Sequence, residues 1–563
     1  MFGNSGAELL PVLPSLPESC RVSSIPSPAR LRLESLALCL LALPLFTLGL
    51  WEQPFIGFDG RFALFAQEMF RHGASAFPTS YGQPYPDYPA TSTLLIHAFA
   101  QLFGEVNRLA TVIPTALASA AIVGLLYRLL AERSRAWALL AVLMLLLTNG
   151  FLAKARSICL DQFVTLAALG CFYLLWSADQ HGRSRRRVLV FLCMAAGFAV
   201  RGPLGLVEPC GVVCVYWLLQ GDWRRSFGYG LVGALLLALC CALLFGLAWR
   251  TGGPVFVEDV LRMQVSGRLD DTDGAGYPWW YFLQLGLYRY APAFPLALLA
   301  LPTLGRHWRL RHDQADSRLL IQLAGFAALI VVALSIPTFK KPYYILPAIP
   351  ACAALGAWVL LQGQGALAWV RRLFLPLLVI FPLLLGVLVK LQQPRLQAAG
   401  WWPELDLRLL LGAFAILTLF ALVAAWRERG AFRLGMPLAA AALAQWLLVV
   451  LALDPMQALR YDTRAFVTRL ESLRQGEPGQ LVFFGLGQDT KAFRYLMNLD
   501  YDVPLPTFID IGQPGQLAQV ARPAYVLLDA DSQAALAGTP LASRRPVLEG
   551  RFNDNRWQAY YLP

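Results

Sequence analysis

Two carboxylates and a scatter of cations stand where long apolar runs of this chain begin or end. The first carboxylate lies in Gly57-Phe58-Asp59-Gly60-Arg61-Phe62, directly after the first membrane-length apolar run, and the second closes Lys154-Ala155-Arg156-Ser157-Ile158-Cys159-Leu160-Asp161. Between them comes the proline- and tyrosine-rich stretch 81–89, with Tyr85-Pro86-Asp87-Tyr88-Pro89. Two further turns supply Arg201, in Val200-Arg201-Gly202-Pro203, and Lys340 and Lys341, in Pro337-Thr338-Phe339-Lys340-Lys341-Pro342-Tyr343-Tyr344. Ionisable groups at membrane depth are costly to keep, so their default reading is functional. Arginine grips phosphate oxygens at two points and lysine adds a mobile charge, so such a cluster suits a phosphate or pyrophosphate on a lipid carrier. Snorkelling to headgroups is the structural alternative.

A carboxylate among these cations can serve as a general base if it reaches the proton and is held ionised, a task for Arg61 or Arg156 beside Asp59. Helix capping is the simpler role for Asp59 and is compatible with catalysis. For Asp161, an ion pair with Arg156 stands beside substrate contact, and Glu208, inside an apolar run, reads as a structural buried acid. His72, His97, His181, His307 and His312 are scattered without ligand spacing, so neither a metal nor a cofactor is expected.

The elements that must position these residues are helices in a bilayer. Of 563 residues, 57% are hydrophobic and 15% charged, with mean hydropathy +0.53. Repeated apolar runs leave helices as the reading, because hydrocarbon offers the backbone no outside partner and a barrel would alternate in short segments. About thirteen spans are expected, at 34–51, 109–128, 136–150, 157–177, 188–201, 203–219, 228–249, 281–303, 319–336, 343–361, 373–390, 407–425 and 436–453. The net charge of +12 is read as a topology signal, not as a nucleic-acid surface. The ten cysteines show no metal-ligand spacing and read as small buried apolar groups.

Arginines at 128/133/135, 183/185/186/187, 224/225, 306/309/311/318, 371/372 and 427/429/433 occupy alternate loops, which are therefore expected to be cytoplasmic. The first outer loop, 52–108, is expected to hold an amphipathic interfacial helix, with Phe62, Phe65, Ala66, Met69 and Phe70 on one face, Asp59 at its start and Gly73 at its end. The apolar stretch 91–103 is short for a span and is expected to be interfacial or partly immersed. The loop 251–280, ending in Tyr277-Pro278-Trp279-Trp280, reads as solvated with an aromatic anchor. Residues 1–33 are expected to be a cytoplasmic tail, 34–453 the membrane domain and 454–563 a small soluble α/β domain, with strands at 481–487 and 525–529 and a helix around 489–498. Gly485 and Gly487 read as a strand-to-helix turn, not a nucleotide site.

Taken in order, Asp59-Gly60-Arg61-Phe62, Tyr85–Pro89, Arg156–Asp161, Arg201-Gly202-Pro203 and Lys341-Pro342-Tyr343-Tyr344-Ile345-Leu346-Pro347 resemble the lipid A aminoarabinose transferases, bacterial relatives of the protein O-mannosyltransferases. The resemblance covers about residues 34–360, and its most specific piece is the Lys341 to Pro347 motif. It implies an all-α polytopic GT-C glycosyltransferase of the bacterial inner membrane, without nucleic-acid partners, acting on the periplasmic side with inversion. The implied partners are membrane lipids, an undecaprenyl-phosphate-linked sugar donor and lipid A. Transfer to a polysaccharide or protein hydroxyl, polymerase or ligase activity, and a flippase for lipid-linked sugars are its rivals. The family roles fall on Asp59 and Asp161 as catalytic residues and on Arg61, Lys341, Tyr343 and Tyr344 near the donor; Asp87, Tyr88, Arg156, Arg201 and Lys340 are nominated with them as substrate-binding residues. Two positions depart from the family pattern: Gly60 follows Asp59 where the family has glutamate, and Tyr88 stands where it has the lysine expected to meet the carrier phosphate. Tyrosine donates a hydrogen bond but brings no charge, so Arg156, Arg201 or Lys340 would have to compensate.

Overall fold

A computed structural model of the chain describes residues 27–51, 53–56, 59–87, 89–263, 276–362, 365–486, 495–499, 501–552 and 555–563. Tyr88, Gly487, most of the expected helix at 489–498 and much of the charged part of the 251–280 loop lie outside the described residues.

Helix α1 (Pro28–Thr47) starts on Ser27, whose hydroxyl accepts from the Arg30 amide, and carries proline where the missing N–H costs nothing. Next come α2 (Asp59–His72), a hairpin of β1 (Thr79–Ser80) and β2 (Gln83–Pro84), α3 (Thr91–Phe103) and α4 (Arg108–Ala131). Asn107 caps α4, which makes Arg108 its first residue. After α5 (Arg135–Leu147) the chain bends by 74° into the short α6 (Asn149–Ala155) and then enters α7 (Leu160–His181). Helices α8 (Leu189–Arg201) and α9 (Pro203–Leu219) are joined by one residue, Gly202, whose φ of +66° a side chain would resist. Their contact is backbone on backbone, since a Cβ on Gly197 would fall 2.0 Å from the Gly205 carbonyl oxygen. That turn fixes Arg201 at the tip of α8.

Helix α10 (Trp223–Leu261) is broken at Gly252 and Gly253, ahead of Pro254. Three short helices follow, α11 (Tyr281–Arg289), α12 (Ala293–Leu298) and α13 (Leu301–Leu310), where the sequence suggested one span at 281–303. Pro292, Pro295 and Pro302 withhold the amides that one continuous helix would need. The bundle closes with α14 (Ala315–Ser335), α15 (Ile349–Leu361), α16 (Ala368–Ala398), α17 (Leu407–Arg427) and α18 (Phe432–Leu448). Among the described residues seven helices are long and apolar enough to cross a membrane, and the bent α5–α6 pair makes an eighth. The chain is a multi-pass helical membrane protein, with one apolar core running through α4, α5, α7, α9, α12, α14 and α15. The nine described cysteines are all free.

From α18 the chain passes without interruption through a π turn (Val449–Leu453) into α19 (Asp454–Arg460) and then α20 (Arg464–Gly476). A five-stranded sheet follows, built from β3 (Gln480–Phe484), β4 (Thr507–Ile509), β5 (Ala524–Asp529), β6 (Leu548–Phe552) and β7 (Asn555–Leu562), in the order β4-β3-β5-β7-β6. Strand β3 runs parallel to β4 and β5, whereas β7 is antiparallel to β5 and β6. One face packs Leu481, Phe483 and Tyr525 onto α20, and the other packs Val482, Phe484 and Val526 onto Leu517 and Leu541.

Helix α2 matches the expected one and ends at Gly73 with φ +94°, yet it is covered on two sides. Phe62, Phe65 and Ala66 pack on Ile96, Val112 and Val200 of the bundle, while Leu64 joins Phe466 and Tyr495 in the sheet core. Arg71 reaches Asp502 at 3.1 Å, and Tyr81, at the tip of the hairpin, lies edge-on to Phe508. The helix is a wedge between bundle and sheet, because its second apolar face is claimed by the sheet.

Candidate functional site

Beneath α2 lies a cavity of about 620 Å³ lined by the bundle ends that carry the ionisable turns. Asp59, Arg61, Asp87, Arg156, Asp161, Arg201, Lys341, Tyr343 and Tyr344 all line it. Residues as far apart in sequence as Asp59 and Tyr344 thus meet in one space, as the alternation of loops suggested. Four more charged residues join them: Arg108, Lys154, Arg289 and Asp454. Seven cations therefore face four carboxylates, an excess of three positive charges.

The carboxylates are fastened one by one. Asp59, in the first turn of α2, is paired with the Arg108 guanidinium, both nearly fully buried. Neither Arg61 nor Arg156 takes that place, contrary to the sequence reading: Arg61 lies 3.3 Å from Asp87, with its guanidinium against the Phe62 and Tyr85 rings. Asp161, in the first turn of α7, has Arg201 Nε at 3.4 Å and not Arg156. Acid at a helix start and base at a helix end both suit the backbone dipole, so the α7 start and the α8 tip attract each other before any ligand is considered.

Arg156 is spoken for. Its guanidinium donates to the Leu45 and Leu48 carbonyls at 2.9 and 2.7 Å and to Asp454 at 2.6 Å, tying α1, α6 and α19 together. Asp454 is aimed inward by the π turn, which also brings Val449, Leu453 and Gln457 to the cavity wall. Lys340 is corrected as well. Its ammonium is buried, donates to the Tyr277 carbonyl at 3.0 Å and to the Pro337 carbonyl, and does not line the cavity. Burial holds its pKa below the ordinary lysine value. Glu208 also stays outside the lining, buried in α9 with Oε2 lacking a hydrogen-bond partner. Tyr88 lies outside the described residues, between Asp87 and the start of α3.

What remains directed at the cavity is cationic and aromatic. Lys154 sits 5.0 Å from the Tyr343 ring centre and Arg201 5.5 Å from that of Tyr344, while Lys341 leans on Phe339. Lys154 and Arg289 make no ion pair among the described residues. Such a wall can hold an oxyanion, with charge in excess of what its own carboxylates absorb. Arg108 and Asp454 escaped the sequence reading because each was assigned to a structural boundary, Arg108 to a span start and Asp454 to a domain start. Arg108 carried the same signal as Arg156, a cation at the outer end of a span. Asp454 carried none.

Comparison with known proteins points the same way. Residues 87–249 match the family model described as dolichyl-phosphate-mannose-protein mannosyltransferase. An undecaprenyl phosphate-alpha-4-amino-4-deoxy-L-arabinose arabinosyl transferase of Pseudomonas fluorescens is 29% identical over 59% of this chain, a stretch that spans only 56% of the relative's own length. One from Pseudomonas aeruginosa is 28% identical over 72% of each chain. In fold, the chain superimposes on the crystal structure of ArnT from Cupriavidus metallidurans in the apo state with a TM-score of 0.68, covering 93% of this chain and 97% of that one at 19% identity. The same protein bound to undecaprenyl phosphate gives 0.64, covering 95% and 98%, again at 19% identity. In sequence the chain is similar to these arabinosyl transferases, and in fold it is similar to ArnT.

Proposed function

We propose that this protein is an inner-membrane glycosyltransferase that moves a sugar, aminoarabinose or a close relative, from undecaprenyl phosphate to lipid A at the periplasmic end of the bundle. The observation that carries the reading is the cavity itself, where three cations in excess of the carboxylates face a space beside two paired aspartates. The names of the relatives above support the donor and its sugar, and the arginine-rich turns at the opposite end support the orientation. In this reading residues 34–453, with about thirteen spans, form the membrane domain, residues 454–563 form a periplasmic domain, and α2 and α3 lie near the outer interface.

The chemistry is a single displacement. An acceptor oxygen attacks the anomeric carbon from the face opposite the carrier, the bond from that carbon to the carrier phosphate oxygen breaks, and its electron pair leaves with undecaprenyl phosphate. The configuration therefore inverts. Lys341, Lys154 and Arg289 meet the phosphate as its charge grows, and Arg201 contributes while holding Asp161. Cation stabilisation of this kind is the largest contribution to many such reactions. Lys154 and Arg289 thereby take the place that Tyr88 leaves without a charge. Asp59, fixed by Arg108, orients the acceptor. It also takes the acceptor's proton if that group is a hydroxyl, whereas a lipid A phosphate is already ionised and needs no base.

Purified protein given a radiolabelled sugar on undecaprenyl phosphate, with lipid A as acceptor, tests the proposal. Asp59→Asn is expected to lower the transfer rate by about a hundredfold or more through lost orientation of the acceptor, and also to lower the melting temperature because Arg108 loses its buried partner, so the rate is read below that melting temperature. Full transfer by that variant removes Asp59 from the mechanism, and no transfer by the unaltered protein removes the proposal.

A further inference from the structure

A second, more open cavity of about 310 Å³ lies at the other end of the bundle, between the start of α1, the end of α7 and the turn 183–187. Helix α7 connects the two sites. Asp161 is in its first turn and His181 in its last, about 30 Å apart at the usual helical rise. Arg32, Arg128, His181, Arg183 and Arg186 line the cavity, and among the described residues no carboxylate does. Glu132 reaches this set from its edge, at 3.1 Å from Arg128 and 3.7 Å from His181. The other nearby acids are occupied, Glu34 by Arg30, Arg135 and the Tyr127 hydroxyl and Asp179 by Arg187 and the Tyr216 hydroxyl. Among the described residues only Arg128, of the four guanidinium groups, thus has a carboxylate partner. Arg32, Arg183 and Arg186 make no ion pair among the described residues, and Nη1 of Arg128 is buried without a hydrogen-bond partner.

The cationic pocket heads two apolar strips. Leu33, Leu36 and Leu40 follow one another at i, i+3 and i+7 on α1 and are 67%, 55% and 62% exposed, with Leu36 itself in the cavity wall. On the other side Val188 and Leu192 are 67% and 68% exposed. A dissolved anion would use the arginines alone. Charge at the head of two open apolar strips fits a ligand with an anionic head and acyl tails.

We propose that this is a binding site for an anionic phospholipid, its phosphate among Arg32, Arg128, Arg183 and Arg186 and its acyl chains along α1 and α8. The arginine-rich turns place it in the cytoplasmic leaflet, where basic pockets between helices recognise such headgroups. The site shares no residue with the cavity under α2 and does not depend on the transfer reaction.

Full-length protein in a neutral detergent, titrated with phosphatidylglycerol or phosphatidylcholine and weighed by native mass spectrometry, tests this. The unaltered protein is expected to retain phosphatidylglycerol about tenfold more strongly, and R183A/R186A to lose that preference. Arg185→Ala, in the same turn but outside the cavity wall, is expected to keep it. Equal retention of the two lipids, a preference that survives R183A/R186A, or one that Arg185→Ala also abolishes overturns the proposal. Inorganic phosphate that displaces phosphatidylglycerol and raises the melting temperature equally marks a site for a soluble anion and overturns it as well.

Discussion

The two ends of the helical bundle are both rich in arginine and use it in opposite ways. Under α2 four guanidinium groups are buried or half-buried and each is matched with a carboxylate: Arg108 with Asp59, Arg201 with Asp161, Arg61 with Asp87, Arg156 with Asp454. At the far end Arg32, Arg183 and Arg186 have no acid among the described residues, and the pair of Arg30 with Glu34 is local and largely exposed. Burial accounts for the difference. A charge taken out of water must find a partner or coordinate a ligand, whereas one at the headgroup level is solvated or meets a lipid. Arginines at the far end also reach distant acids, Arg133 to Asp316 and Arg135 to Glu34, but those pairs stay partly exposed, so it is burial of the pair that marks the site.

Four measurements break or sharpen that contrast. The largest effect is expected of Arg201→Ala, which strips Asp161 of its buried guanidinium and should cost about 3–5 kcal/mol in thermal unfolding, with Arg201→Lys recovering part. A loss below about 1 kcal/mol would put this pair in the class of surface pairs. Lys154→Ala leaves no acid unpaired, so its stability should hold while KM for the carrier-linked donor rises about tenfold, the value of one charge-assisted contact. At the far end, Arg30→Ala should change stability by less than about 1 kcal/mol, because its pair with Glu34 is exposed and Arg135 still holds that acid.

The smallest effect lies in the sheet region, where one acid, Glu471, is bound by Arg474, Tyr495 and Tyr501. Burial, together with the Glu471 carboxylate, pushes the Tyr501 hydroxyl up to about 12. A tyrosine whose folded pKa exceeds the unfolded one stabilises the fold fully below about pH 10 and loses that contribution as the pH rises towards 12. Melting temperatures measured between these values should fall more steeply for the unaltered protein than for Tyr501→Phe, and parallel curves would exclude the linkage.

Much of this was legible in the chain. Apolar runs at membrane length dictate helices, since no other structure pairs every backbone group in hydrocarbon, and a helix occupies each expected run except 281–303. The prolines that divide that run were visible, but hydropathy outweighed them. The 3.6-residue spacing of Phe62, Phe65, Ala66 and Met69 gave α2 within its bounds, and Thr91–Phe103 became a helix of the expected length. Nine of the eleven nominated site residues line the cavity. The pairings were misread because proximity in sequence was taken for proximity in space. Arg61 and Arg156 are the nearest cations to Asp59 and Asp161 along the chain, yet helix geometry sends their side chains elsewhere.

The sequence by itself determined a helical membrane protein and the residue types gathered at one end of the bundle, because hydropathy and charge act on each segment alone. Tertiary structure alone decided which arginine holds which aspartate and that Lys340 turns to backbone carbonyls. It also decided that Asp454, beyond the last span, reaches back into the cavity, and that α2 is a wedge between bundle and sheet. Each of these depends on the distance between groups tens to hundreds of residues apart, and a Coulomb or hydrogen-bond energy is fixed by that distance and by the burial around it.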